Sequence, residues 1–393
     1  VNLKLDKSAW KRVALGDVAR HVTDRVDAEM SGLERFLAGE HIPSNDLAVT
    51  QWGVIGRDPI GPMFYKRFKP GHVLYVSRRS YLRKAAVPEF EGITGEKTFV
   101  LESRDESVLL QRFLPFVLSA EVFHSYAVAN SRGSVNPYIN WTELANYEFD
   151  LPPHDEQQRL ADLLWAIEGH RRSVVSAMAA GLSAKYAWLG TSIGTLVDRE
   201  AVPFERVWER SPESGWSAAP VDEATGHHVL SLAAIGQFGY RAGQLKNVPD
   251  SPEVRAARLN QGDLLISRAN TVKTVGRPCI FTEDRSDVSF PDTMMRLHLV
   301  DDVQPAFAEA VLASPHGRSH MRRNAAGSAT SMVKINRQSL SRFAFPTATA
   351  EEQNEFLDRL ARFDEAADLV QSDLLALDAS RGAVSTEIFG GAA

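Results

Sequence analysis

The chain has 393 residues, 44% of them apolar and 24% charged, with no low-complexity tract and no strongly charged tail. This composition excludes a disordered or fibrous protein, and the length suits two domains of roughly 150 residues plus connecting elements. No stretch reaches the roughly 18 consecutive apolar residues of a membrane span, and the first residues lack a signal-peptide pattern. The single Cys279 can form neither an internal disulfide nor a zinc site, so a cytoplasmic protein with no membrane partner is expected.

In chain order, residues 72–76 and 98–101 are short and rich in β-formers and read as strands; residues 113–127 read as a helix. A long helix comes after Leu151-Pro152-Pro153, and a second cycle then begins: strands at 263–267 and 294–300, a helix at 306–323, and another long helix to the end. Strand and helix do not alternate regularly, so the class expected is α/β of the mixed α+β kind rather than a doubly wound parallel sheet.

The second cycle repeats the first. Offset by 196 residues, Ile139-Asn140 aligns with Ile335-Asn336, Leu144 with Leu340, Phe149 with Phe345, Glu156-Gln157 with Glu352-Gln353 and Leu164 with Leu360, giving 11 identities in 42 ungapped positions. Upstream, residues 69–78 recur with one residue fewer at 260–268, both ending in Ser-Arg, and Gly133-Ser134 corresponds to Gly327-Ser328. Within the better-matched parts the apolar residues keep a heptad: Leu160, Leu164, Ile167, Val174 and Met178, shifting to Leu182, Tyr186, Leu189 and Ile193; then Phe356, Leu360, Phe363, Ala367, Val370, Leu374, Leu377, Val384 and Ile388. Arg171 and Arg381 interrupt the two seams. Asp155, and Thr349 with Glu352, supply capping chemistry at the helix starts. A lone helix of this kind would expose its stripe, so an antiparallel pair is expected. The division is residues 1–152 for the first domain, 153–194 for the first spacer helix, 195–347 for the second domain and 348–393 for the second helix.

No catalytic constellation stands out. Asn136-Pro137-Tyr138 lacks the second proline and the Gly-rich partner of an adenine methyltransferase, no phosphate loop occurs, and His227-His228 lacks metal-ligand spacing. Recognition chemistry remains. The net charge of -6 hides segregation: residues 57–84 hold eight Lys or Arg and one acid, and residues 311–350 hold six and no acid. Each Ser-Arg element leads into polar or basic side chains, giving Ser77, Arg78, Arg79, Arg83 and Lys84 in the first copy and Ser267, Arg268, Asn270, Lys273 and Arg277 in the second. Arg reads guanine and Asn reads adenine bidentately, while Lys and Ser hold phosphate. Arg318, Arg322, Arg323, Lys334 and Arg337 surround the second Gly-Ser loop; of these Arg322, Arg323 and Lys334 are taken as DNA-binding.

Trp10, Leu15-Gly16-Asp17-Val18, Glu40-His41-Ile42, the Ser-Arg elements, the Gly-Ser loops and the Pro-Pro entry into a long helix together resemble the specificity subunits of type I restriction-modification systems, over nearly the whole chain. The second copy departs at Pro346-Thr347-Ala348-Thr349, which replaces the double proline, and at Trp208, which has no Leu-Gly-Asp-Val after it. The resemblance implies two target-recognition domains reading a bipartite double-stranded DNA target, spaced by two helices that dock two DNA adenine methyltransferase subunits and restriction/translocase subunits. It implies no catalysis and no cofactor in this chain, with S-adenosylmethionine, ATP and Mg on the partners. The alternative is a non-enzymatic coiled-coil scaffold or adaptor, which leaves the Ser-Arg elements unexplained.

Overall fold

The computed structural model describes residues 3, 5–237, 239–329 and 332–390. The chain forms two compact units, one of Val1–Ser176 with Gln371–Ala393 and one of Ala177–Val370. Each long helix, His154–Arg199 and Ala350–Phe389, therefore contributes one half to each unit.

The repeat read from the sequence is a repeat of topology. In unit 1 a four-stranded antiparallel sheet runs in the order Ala19–His21, Thr98–Ser103, Val73–Val76, Ala85–Ala86. In unit 2 the order Trp208–Ser214, Met294–Leu299, Leu264–Ser267, Pro278–Ile280 reproduces it. A second sheet in each unit contains one parallel pair, Arg35–Leu37 with Gly92–Gly95 and His228–Leu230 with Val288–Ser289. A two-stranded ribbon precedes each long helix, Lys11–Ala14 with Glu148–Leu151 and Ala201–Pro203 with Ala344–Pro346.

Two predicted helices are each broken in two. Residues 113–127 form Leu114–Ser119 and Glu121–Ala129, separated by Ala120 in extended conformation (ψ 143°). Residues 306–323 form Pro305–Ala313 and Pro315–Arg323, because Pro315 forces Ser314 out of the helical region and the Ser314 hydroxyl then accepts the Gly317 N–H as a new cap. The Thr349 and Glu352 capping box forms as expected, with mutual bonds of 2.9 and 3.2 Å. Asp155 instead lies inside the first turn of its helix, where its charge faces the positive helix end.

Glu156-Gln157 and Glu352-Gln353 recur for a structural reason in their glutamines. The Gln157 side chain accepts the Leu110 N–H and donates to the carbonyls of Val108 and Pro152; Gln353 accepts the Gln304 N–H and donates to those of Asp302 and Ala348. Each glutamine is 1% exposed and ties the start of a long helix to its own globular part. Leu160, Leu164, Val384 and Ile388 complete the unit-1 core around Phe113, Phe123 and Leu144; Leu189, Ile193 and Phe356 do the same in unit 2 around Phe204, Phe307 and Phe345.

Within each unit the two helix halves run antiparallel. In unit 1 Arg381 bonds Glu168 at 3.0 Å and Arg171 bonds Asp378 at 2.7 Å. In unit 2 Lys185 pairs with Asp364, and Trp188 stacks on Phe356 at 4.8 Å. Offsetting Glu168 and Arg381 by the repeat gives Asp364 and Lys185, so the ion pair is itself repeated. Arg171 and Arg381, read as interruptions of the seam, are polar ties: Arg171 also bonds Asp46 and Arg381 the carbonyl of Asn45, fixing the helices to one loop of unit 1. The seam is otherwise incomplete, with Ala367 exposed.

Candidate nucleic-acid interface

In each unit the strand that ends in Ser-Arg meets the Gly-Ser loop. The Ile139 N–H donates to the Ser77 carbonyl and Arg78 pairs with Tyr138 across an antiparallel bridge. In unit 2 the Ile335 N–H donates to the Arg268 carbonyl, and Ala269–Asn270 pairs with Met332–Lys334, itself one arm of a hairpin with Ala326–Ala329. Two sequence features some 60 residues apart thus become one surface element, twice. The side chain of Ser328 lies outside the described residues.

The expected contact residues divide by what their side chains already do. Ser77 and Ser267 are buried, 3% and 0% exposed; Ser77 donates to the Lys97 carbonyl and Ser267 accepts from Asn270. Both close a buried strand and face inward, which corrects their reading as contact residues. Arg83 is held by both oxygens of Glu121 at 2.6 and 2.7 Å, and Lys84 donates to the Gly39 carbonyl, so these two brace the turn. Arg79 donates to the Asn136 side chain at 2.8 Å, and Arg268 to the Asp292 carbonyl at 3.1 Å. Asn270 also accepts the Thr271 N–H. Arg78, Lys273, Arg277, Arg322, Arg323 and Lys334 make no side-chain hydrogen bond or ion pair among the described residues, and all but Arg277 are exposed.

Arg79 and Arg83 both hold left-handed backbone (φ 55° and 54°), which a non-glycine residue adopts only where its surroundings fix it. The fixing groups are visible: the Arg79 N–H donates to the Pro137 carbonyl, and the Arg83 guanidinium is clamped by Glu121. This turn and the 132–138 loop are therefore one braced structure.

The two basic segments have different fates. In residues 57–84 three of the eight cations are neutralised, Arg57 by Asp58, Arg67 by Glu91 and Arg83 by Glu121, while Lys66 is buried and bonds the carbonyls of Glu96 and Thr98. In residues 311–350 Arg318 is buried, donating to the Lys273 carbonyl, and burial, with Arg322 and Arg277 nearby, lowers its pKa to about 10. Arg322, Arg323, Lys334 and Arg337 stay exposed and have no partner among the described residues. Unit 2 thus presents the denser uncompensated positive face, in the form that releases counterions on meeting phosphate.

Residue-by-residue reading missed the unit-1 loop itself. Lys97 lies 5.5 Å over the Tyr138 ring, Val135 is 83% exposed, and Arg132 pairs with Glu143. The signal available was the correspondence of Gly133-Ser134 with Gly327-Ser328. No group of His, Cys, Asp or Glu among the described residues is placed to hold a metal, and no described helix is long and apolar enough to cross a membrane.

No family model matches the chain. It is 24% identical over 168 residues, 41% of its length, to the type I restriction enzyme EcoEI specificity subunit of Escherichia coli, and the match spans 28% of that protein. It is similar along 98% of both chains, with a TM-score of 0.61 and 17% identity, to a chain in a structure describing complex assembly and conformational transition of the type I R-M system. It also matches the type I restriction-modification S subunit of M. genitalium, with a TM-score of 0.53 and 11% identity over 100% of this chain and 99% of that one. The fold is thus that of the type I restriction-modification specificity subunits. In sequence, too, the chain resembles a specificity subunit, EcoEI's.

Proposed function

We propose that this chain is the DNA-reading specificity subunit of a type I restriction-modification complex, with each unit reading one half of a bipartite target. The observation that carries the reading is the repeated element: a Ser-Arg strand end bonded to a Gly-Ser loop in both units, with unpaired cations beside it. A braced loop presenting Arg, Asn and Lys matches base-edge and phosphate chemistry.

Catalysis and its cofactors belong to partner subunits: adenine methylation with S-adenosylmethionine, and ATP- and Mg-dependent translocation and cleavage. The long helices dock two methyltransferase subunits and set the distance between the half-sites. A scaffold without DNA contact has no use for a repeated cationic loop. The test is selection from a randomised duplex library by the complex of this chain with a type I methyltransferase subunit that co-purifies with it. Enrichment of two short motifs at fixed spacing is expected; a complex that forms yet enriches nothing overturns the proposal.

A further inference from the structure

Where the 132–138 loop ends at Tyr138 and runs into Ile139 and Asn140, unit 1 holds a cavity of about 240 Å³. That is below the roughly 300–1,000 Å³ of sites for drug-sized ligands and suits one planar ring system. Its walls include Phe99, Tyr138 and Trp141, and Lys66 and Lys97 lie over two of those rings at 5.6 and 5.5 Å.

Two polar groups here are unspent. The His21 Nε2 is buried without a partner. Burial, with Lys66 adding to it, lowers the His21 pKa to about 4, so the ring is neutral near pH 7. Asn140 is the second. Its counterpart in the repeat, Asn336, caps a helix by accepting the Ser339 N–H at 2.7 Å, within a full capping box. Asn140 occupies the same N-cap position, yet its side chain makes no cap bond and lines the cavity. One copy of the motif thus keeps its amide for the helix and the other leaves it free.

The charge pattern selects the ligand. Three cations line the site and each is already engaged: Lys66 by two backbone carbonyls, Lys97 by Glu96, and Arg25 over the Tyr65 ring at 4.7 Å; the Glu96 carboxylate lines the site as well. A phosphate would meet that carboxylate; a neutral, flat ligand with donors and acceptors on its edge would not. We propose that this cavity receives a single nucleobase turned out of the duplex, stacked on the aromatic walls and read on its edge by Asn140. The inference rests on the DNA-reading role proposed above and adds a site to it.

The test uses the assembled complex with its methyltransferase partner and duplexes carrying the selected motif, with a mismatch introduced at each position of the unit-1 half-site in turn. A base already unpaired is easier to extract, so a mismatch at one position other than the methylated adenine should tighten binding by about tenfold. Asn140→Ala, which removes a side chain that supports no bond among the described residues, should cut that gain to below threefold with an unchanged melting temperature, and Asn140→Asp serves as a second variant. If no such position exists, or if the gain survives both variants while Arg78→Ala weakens binding, the cavity is not a base site and the DNA reading stands. If the complex prefers no duplex over another, the DNA reading fails and this inference falls with it.

Discussion

Replacing Arg322 and Arg323 together by glutamine removes two exposed cations that bond nothing among the described residues, so folding stability should change by no more than about 0.5 kcal/mol. Their effect on DNA binding is expected to be large and of one kind. Each phosphate neutralised contributes about 0.9 to the slope of log affinity against log salt, so losing two contacts should flatten the slope by about 1.8. Between 50 and 200 mM salt that difference amounts to about a 12-fold smaller loss of affinity. Fluorescence anisotropy of the assembled complex on a labelled duplex across that range measures it directly. Arg83→Gln is the matched control: its guanidinium is already held by Glu121, so the slope should not move. A double variant whose slope equals that of the wild type would refute the assignment of a phosphate-facing surface to unit 2.

Glu168 is 3% exposed beside Arg381, and Glu168→Gln should cost about 3 kcal/mol in denaturant unfolding because it leaves a partly buried guanidinium without its counter-charge; a loss under about 1 kcal/mol would show the pair to be solvated. His124 is also 3% exposed, and burial, with Arg83 adding to it, depresses its pKa from 6.5 to about 4. Between those values the unfolded chain binds the proton and the folded unit does not, so this contribution to unit-1 stability is intact above about pH 6.5 and lost as pH falls toward 4. His124→Gln should flatten the fall in urea midpoint between pH 7 and pH 5, and an equally steep fall in the variant would assign it to other groups. Inserting four residues beside Gly181, where an added side chain meets nothing within 4 Å, should lengthen the unread spacer without altering either half-site; unchanged spacing in a functional insert would show that helix length does not set the distance.

The architecture was legible because it is written twice in strong signals. Apolar residues at heptad spacing, a recurring Glu-Gln and a recurring Ile-Asn are visible because they stand at the same offset in both copies, although the bonds of Gln157 and Gln353 reach residues far away in sequence. The breaks at Ala120 and Ser314 were less so: Pro315 announces the second, but Ala120 has no such marker. Individual contact residues were the least legible, because the fate of an arginine depends on distant acids. Arg83 finds Glu121 and Arg67 finds Glu91, neither close in sequence, whereas Arg322 and Arg323 find none. Ser77 and Ser267 stand beside an arginine in the sequence as contact residues would, but both continue a strand that is buried throughout. Asn140 parts from Asn336 at the third residue beyond it: Ser339 can return a capping bond, whereas Glu143 in the equivalent place is drawn to Arg132.

The most direct test of the central claim is methylome sequencing of a host carrying this chain with a type I methyltransferase subunit that co-purifies with it, beside the same host carrying Arg78→Ala and Arg268→Ala. The expected result is a split motif methylated at adenine in both halves, lost or relaxed in the double variant. An active, co-purifying methyltransferase that yields no motif, or a motif indifferent to both arginines, would contradict the account.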